Sequence, residues 1–379
     1  MMLTGPRADI GLACSAIAGM KAQGLAALPP PGRGASRGDS WTFLPWMEAL
    51  LNNVLRRTLA LAAALTCAAM PASANCGAEG CPLSPQGLER AVKPWSIDFG
   101  YQYVDQNVLW SGGDKTNEFN SAGPVTEKFT RSSIYSLNGH GRVAKWLSLN
   151  ASLPYIQRTH SHTAEETPGE FVTSTWVYEG LGDAMLMAMW SAYGAPEHGA
   201  GAFSVQGGVK APTGVTDVGE INGEQPEAPA RPGTGSWDAL AGVQVMRSLP
   251  VPAPGNRPTM LPLVFSAMAR WNGTGTDGYR VGDSYNLNFS TSYAVVPRLA
   301  LLAQVNAVWR GQDEVGTTDA VAEETGGESL YATPGLRAAL PGGASIYGYW
   351  QLRIYEHTNG PQLVAPDHLI FGASFGLGR

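Results

Sequence analysis

His160-Ser161-His162, with Glu165 and Glu166 just behind, sets two imidazoles and two carboxylates close together in sequence. On extended backbone, side chains two apart share a face, so a His-x-His pair can grip a divalent metal. The stretch reads as a polar outer loop, where such pairs arise without function. His160 and His162 therefore stand only as weak metal candidates, and no metal is expected. Cys76 and Cys81 supply two thiolates, half of a tetrahedral zinc site. In an exported chain such thiols oxidise, so we expect a small Cys76–Cys81 disulfide loop instead. Met185, Met187 and Met189 alternate with Leu186, Ala188 and Trp190. Three thioethers on one face could offer a soft-metal or apolar path, but adaptable packing is the simpler use. For catalysis, His140 is followed by Gly141 and shares its face with Arg142, which turns it inward. No Gly-x-Ser-x-Gly elbow and no His-Glu-x-x-His are expected. We expect no enzyme and no cofactor.

The elements that would hold these groups are strands. Tyr285, Leu287 and Phe289 alternate with Asn286, Asn288 and Ser290, and the run from Leu299 through Leu301, Ala303, Val305 and Ala307 to Trp309 alternates with Leu302, Gln304 and Asn306. Period two puts the two sets on opposite faces. We count about twelve such strands: 95–104, 130–143, 146–158, 180–193, 201–211, 234–248, 261–271, 279–295, 298–310, 328–340, 343–356 and 367–378. The connections alternate between short and long. Ala144-Lys145, Val296-Pro297, 194–199 and 340–343 are short, whereas 105–129, 159–179, 212–233, 311–327 and 357–366 are long, with 249–260 and 272–278 as exceptions to the rhythm. A transmembrane barrel has this asymmetry, with tight periplasmic turns, long outer loops and an even strand number. A soluble sandwich has no reason to keep it. The fold class is therefore an all-β, transmembrane antiparallel β-barrel.

Trp95, Ile97, Phe99, Tyr101 and Tyr103 would face lipid on the first strand, Leu147, Leu149, Ala151, Leu153 and Tyr155 on the third, Ile346, Trp350, Leu352 and Ile354 on the eleventh, and Leu369, Phe371, Ala373, Phe375 and Leu377 on the last. Aromatic residues at strand ends suit the headgroup girdles. The opposite face would line the lumen with Asp98, Gln102, Asn138, His140, Arg142, Asp183, Lys210, Asp238, Arg270, Arg310, Arg337 and Arg353. Charges of both signs there could select solutes, or could lock a plugged barrel by salt bridges.

Arg56 and Arg57, the apolar run from Leu59 to Ala69 and Ala72-Ser73-Ala74 have the order of a secretory signal peptide with its cleavage site. The domain organisation follows: 1–46 as a mis-called start or disordered stretch, 47–74 as signal peptide, 75–94 as a periplasmic segment carrying the cysteine loop, and 95–379 as the barrel. Cys14 and Cys67 fall in the discarded part. The formal net charge of the whole chain is −6. With no basic stripe, nucleic acid is not an expected partner. The expected partners are outer-membrane lipids, the barrel assembly machinery and a small-molecule solute of unknown identity. The terminal Phe375-Gly376-Leu377-Gly378-Arg379 departs from the closing Phe common in such barrels.

Three motifs are more specific. Gly180-Leu181-Gly182-Asp183 opens one strand, Lys210-Ala211-Pro212-Thr213-Gly214 closes the next, and Gly233-Thr234-Gly235-Ser236 starts the sixth. Together they resemble the outer-membrane barrel family named after a meta-pathway of phenol degradation, with Ala211 where that family has Leu. The resemblance covers roughly residues 179–243. It implies an outer-membrane protein of Gram-negative bacteria, porin-like or transporter-like, moving aromatic or other small apolar compounds. The expected function is passive passage of small solutes. The alternatives are a closed structural or loop-binding barrel and a membrane-embedded hydrolase.

Overall fold

The computed structural model describes residues 94–116, 126–167, 170–193, 201–219, 226, 228–253, 257–316 and 322–377. The signal peptide and the Cys76–Cys81 loop lie outside the described residues. The strands are β1 (Trp95–Gln106), β2 (Val108–Gly112), β3 (Asp114–Lys115), β4 (Thr126–Ala144), β5 (Leu147–Thr167), β6 (Glu170–Leu181), β7 (Ala184–Tyr193) and β8 (Ala202–Ala211). They continue with β9 (Asp238–Ala253), β10 (Arg257–Trp271), β11 (Ser284–Val296), β12 (Leu299–Arg310), β13 (Gly327–Ala339), β14 (Ala344–Val364) and β15 (Asp367–Leu377). Among the described residues, no helix is long and apolar enough to cross a membrane.

Neighbours in sequence pair antiparallel around the wall, and β1 pairs with β15 while β13 pairs with β14, so the sheet closes on itself. β6 and β7 both pair with β5, one above the other, and make a single stave interrupted at Gly182-Asp183. β2 and β3 form a short ribbon against the end of β14. That leaves a closed barrel of twelve staves. Closure answers the solvent, since an open strand edge in hydrocarbon leaves backbone groups unpaired at several kcal/mol each.

The outer face is apolar as expected. Trp95, Ile97 and Phe99 on β1, Leu149 and Leu153 on β5, and Leu369, Phe371 and Phe375 on β15 are all exposed outward. Trp95, Trp146 and Trp190 mark the edge at the short turns. Tyr135, Trp237, Trp271 and Tyr285 mark the opposite edge. Beyond that second edge the outward side chains turn polar, as where Gln157 Nε2 donates to Glu179 Oε2 at 2.8 Å.

Several expected loops are wall instead. β5 and β6 run on to Thr167 and from Glu170, so 159–179 is mostly paired strand and His160 and His162 stand on β5. The 357–366 loop shrinks likewise, because β14 continues to Val364. At 249–260 the exception becomes a tight hairpin between β9 and β10. Conversely, 234–237 and 279–283 are not strand.

Candidate functional site

The three motifs meet at one place on the inner wall. A Cβ on Gly180 would lie 2.8 Å from Val215 and one on Gly182 would lie 2.8 Å from Pro154 and 3.2 Å from the Pro232 carbonyl. The segment after β8 therefore turns inward and packs flat on β5 and β6. Gly214 and Gly233 touch backbone to backbone, with a Gly233 Cβ only 2.5 Å from the Gly214 carbonyl carbon. Val215 N donates to Leu181 O at 2.8 Å and Gly233 N to Val215 O at 2.9 Å. Glycine is required here by close approach. Gly233→Ala is expected to lower stability by about 1–3 kcal/mol, the cost of overpacking a tight contact. A urea titration of the barrel in lipid vesicles checks it.

Asp183, in the break between β6 and β7, ties this joint. Its carboxylate accepts from Gly214 N at 2.9 Å, Thr234 N at 3.0 Å, Thr234 Oγ1 at 2.8 Å and Lys210 Nζ at 2.5 Å. Lys210 also lies 3.2 Å from Asp238, which accepts from Arg270 Nη2 at 2.5 Å and Ser236 Oγ at 2.7 Å. The Asp183, Lys210 and Asp238 side chains are almost fully buried. The cross-strand acid–base–acid arrangement on the β6–β7 stave, β8 and β9 is thus a contact network, extended by Arg270 on β10.

The row continues around the long-loop end. Arg310 reaches both oxygens of Asp313 at 2.6 and 2.7 Å, and Asp313 also takes the Tyr279 hydroxyl and Gly282 N. Arg231 Nη1 donates to Asp277 Oδ2 at 2.8 Å, and Arg158 on β5 donates to the Ala230 carbonyl. Further out, Glu314 and then Asp283 hold the Arg280 guanidinium above its usual range. Arg158, Arg231 and Asp313 escape a reading by alternation, because Arg231 and Asp313 sit in connections and Arg158 lies at the edge of an apparent loop.

Across the barrel, Asp98 accepts from Asn138 Nδ2 at 3.1 Å and from the Tyr347 hydroxyl at 3.0 Å, and Ser152 Oγ donates to Asn138 Oδ1 at 2.7 Å. His140 and Asn150 are 2.7 Å apart, and Arg142 and Arg337 follow toward the short turns. Higher up, Arg353 pairs with Glu356, whose Oε2 also takes Ser329 Oγ at 2.6 Å, and lies 4.7 Å from the Tyr331 ring centre. Glu356 is a surprise. Strict alternation from Arg353 would put it outside, but a bulge between the pairs Leu330–Tyr355 and Tyr331–Arg353 shifts the register and turns it in. A bulge of this kind re-aims a side chain within otherwise regular pairing.

His160 and His162 share the inner face of β5, their rings 5.4 Å apart with Trp176 against both. Thr130 Oγ1 contacts His160 Nδ1 at 2.8 Å. Among the described residues, no cluster of three metal-type ligands forms. Met187 is buried while Leu186 and Trp190 face out, so the methionines line the inside. The letters Gly-x-Ser-x-Gly do occur at Gly372–Gly376, but in the middle of β15, with Ser374 paired in register to Asp98 and Ser345. A nucleophile elbow is a strand-to-helix turn, and this is continuous strand.

The family described as "Putative MetA-pathway of phenol degradation" matches residues 177–363, which contains the three motifs and extends far beyond them. A search of curated proteins gave no match. Among solved structures, the COG4313 outer membrane channel from Pseudomonas putida F1 is similar with a TM-score of 0.55 at 15% identity, over 78% of this chain and 99% of that one. The transport unit of the autotransporter AIDA-I from Escherichia coli gives 0.45 at 13% identity, over 76% and 92%. A FadL homologue from Pseudomonas aeruginosa gives 0.36 at 11% identity, over 74% and 89%.

Proposed function

We propose that this outer-membrane barrel, with the family match across residues 177–363, is a channel for the passive passage of small solutes. One observation carries the proposal: a closed wall whose outer face is apolar presents a polar inner face from His140 and Arg142 at the short turns to Arg310 and Asp313 at the long-loop end. The ionic network at Asp183 fixes the inward segment in place, so the passage is narrowed by a rigid feature of the wall. In this reading the short turns and the N-terminal segment lie in the periplasm. Lipids contact the outer face, the assembly machinery inserts the chain, and a cleaved signal peptide exports it. The two apolar stretches inside, the Met185–Met187–Met189 column and the patch of Leu302, Tyr347, Tyr349 and Ile370, stand among polar rows. They would contact the apolar parts of a passing solute while the polar rows contact its polar groups.

Single-channel recording of the whole protein in planar bilayers tests the proposal. Discrete current steps are expected, with a reversal potential that moves toward cation preference in Arg142→Ser, Arg337→Ser. A folded barrel that gives neither current nor solute flux would overturn it in favour of a plugged or architectural barrel.

A further inference from the structure

Halfway up the inner wall, five neighbouring staves each contribute one uncharged polar group at the same level. Gln304 on β12 stands opposite Thr333 on β13, Gln351 on β14 stands opposite His368 on β15, and Gln102 Nε2 on β1 donates to His368 Nδ1 at 3.3 Å. With its Nδ1 accepting, the imidazole presents Nε2–H as a donor. Gln304, Thr333, Gln351 and His368 are at most 5% exposed. Yet among the described residues neither amide atom of Gln351, nor Gln304 Nε2, nor His368 Nε2 has a hydrogen-bond partner. A buried polar group left unpaired costs about 1–3 kcal/mol, so four in one row call for an explanation.

The surroundings define what would satisfy them. Three donors and one acceptor belong to uncharged groups, and the neighbouring ion pair, Arg353 with Glu356, is engaged with Ser329 and the Ala365 carbonyl. A hydroxyl accepts two hydrogen bonds and donates one, which suits an amide on each side of it. Neighbouring staves lie about 4.8 Å apart, so a solute with several hydroxyls can span successive groups of the row. Beside the row, Tyr349 packs against Gly335, where a Cβ would come within 2.5 Å of the ring, and Tyr347 packs against Gly372. Both rings are buried, together with Leu302 and Ile370.

We propose that this row is the solute-recognition site of the lumen, and that it takes an uncharged polyhydroxylated molecule, a polyol or small sugar. The proposal rests on the channel reading above and names its substrate class. The whole protein in liposomes, with swelling rates recorded in erythritol and in arabinose, tests it. The variant Gln304→Met, Gln351→Met keeps side-chain shape and removes three of the four unpaired atoms. Both swelling rates are expected to fall about tenfold, the equivalent of one or two hydrogen bonds, while Gln351→Asn stays within about twofold of the natural protein. Folding is checked in each case by the mobility difference between heated and unheated protein. Natural protein that swells in both probes, with the methionine variant swelling equally, overturns this proposal and leaves the channel standing. Natural protein that folds but swells in neither probe and carries no current overturns both.

Discussion

Asp183→Ala is expected to lower the stability of the barrel by about 3–5 kcal/mol, the range for removing one partner of a buried ion pair. The reason is geometric as much as electrostatic. Asp183 is where three separate stretches of chain converge, because its carboxylate takes Lys210 from β8, Gly214 from the start of the inward segment and Thr234 from its end. Without it, two backbone N–H groups lose their acceptor, and Lys210 keeps Asp238, which Arg270 already shares, and the Thr234 and Ser236 hydroxyls. Asp183→Asn retains one oxygen and the shape, so its cost falls to about 1–3 kcal/mol. Asp183→Ala combined with Lys210→Met removes the stranded ammonium as well and should recover part of the loss, since residues in one network are not additive. The measurement is the midpoint of urea unfolding into lipid vesicles for the three variants. A loss below about 1 kcal/mol for Asp183→Ala would mean that the joint is held by the Gly214–Gly233 contact and the backbone bonds of Val215.

The same residue shows what the sequence makes visible. Asp183, Lys210 and Asp238 fall on one face of three consecutive staves because alternation carries through each strand, and their contact follows from antiparallel pairing. Alternation is dependable for the part of each strand that lies between the aromatic edges, where the outer face must be apolar. It fails above the outer edge, where the outward face meets water and need not be apolar. There the outer halves of β5 and β6 become indistinguishable from a polar loop, which is why His160 and His162 read as loop residues. The inward course of residues 212–219 and 228–236 is hidden for a different reason. A segment rich in Gly and Pro carries no period, and its placement depends on Gly180, Gly182, Gly214 and Gly233 leaving room for each other. Glu356 is hidden by a single bulge, which no local pattern announces. The row of Gln304, Gln351 and His368 was absent from the sequence-based lumen set for yet another reason. Each residue is ordinary alone, and only closure of β1 onto β15 makes the end of the chain a neighbour of its beginning.

The assignment of faces itself has a sharp consequence at the middle of the wall. Val305 on β12 lies between Phe289 and Ala332 on the adjoining staves, on the outward face with Leu301 and Trp309. Val305→Arg is expected to cost about 2–4 kcal/mol, because a guanidinium at the bilayer midplane must be hydrated by distorting the membrane or by reaching to an interface. The penalty depends on depth. The same substitution at Trp309, in the outer aromatic edge, should cost no more than about 1 kcal/mol of charge penalty, since the headgroup region supplies water and counterions. The difference between the two variants in urea unfolding from vesicles isolates depth from the general cost of replacing an apolar side chain. If the faces were reversed, Val305 would point into a polar interior and the two arginines would cost alike. A gradient from the middle of β12 to its end is therefore a property of a strand that spans a membrane, and a half-buried strand of a soluble sheet would lack it.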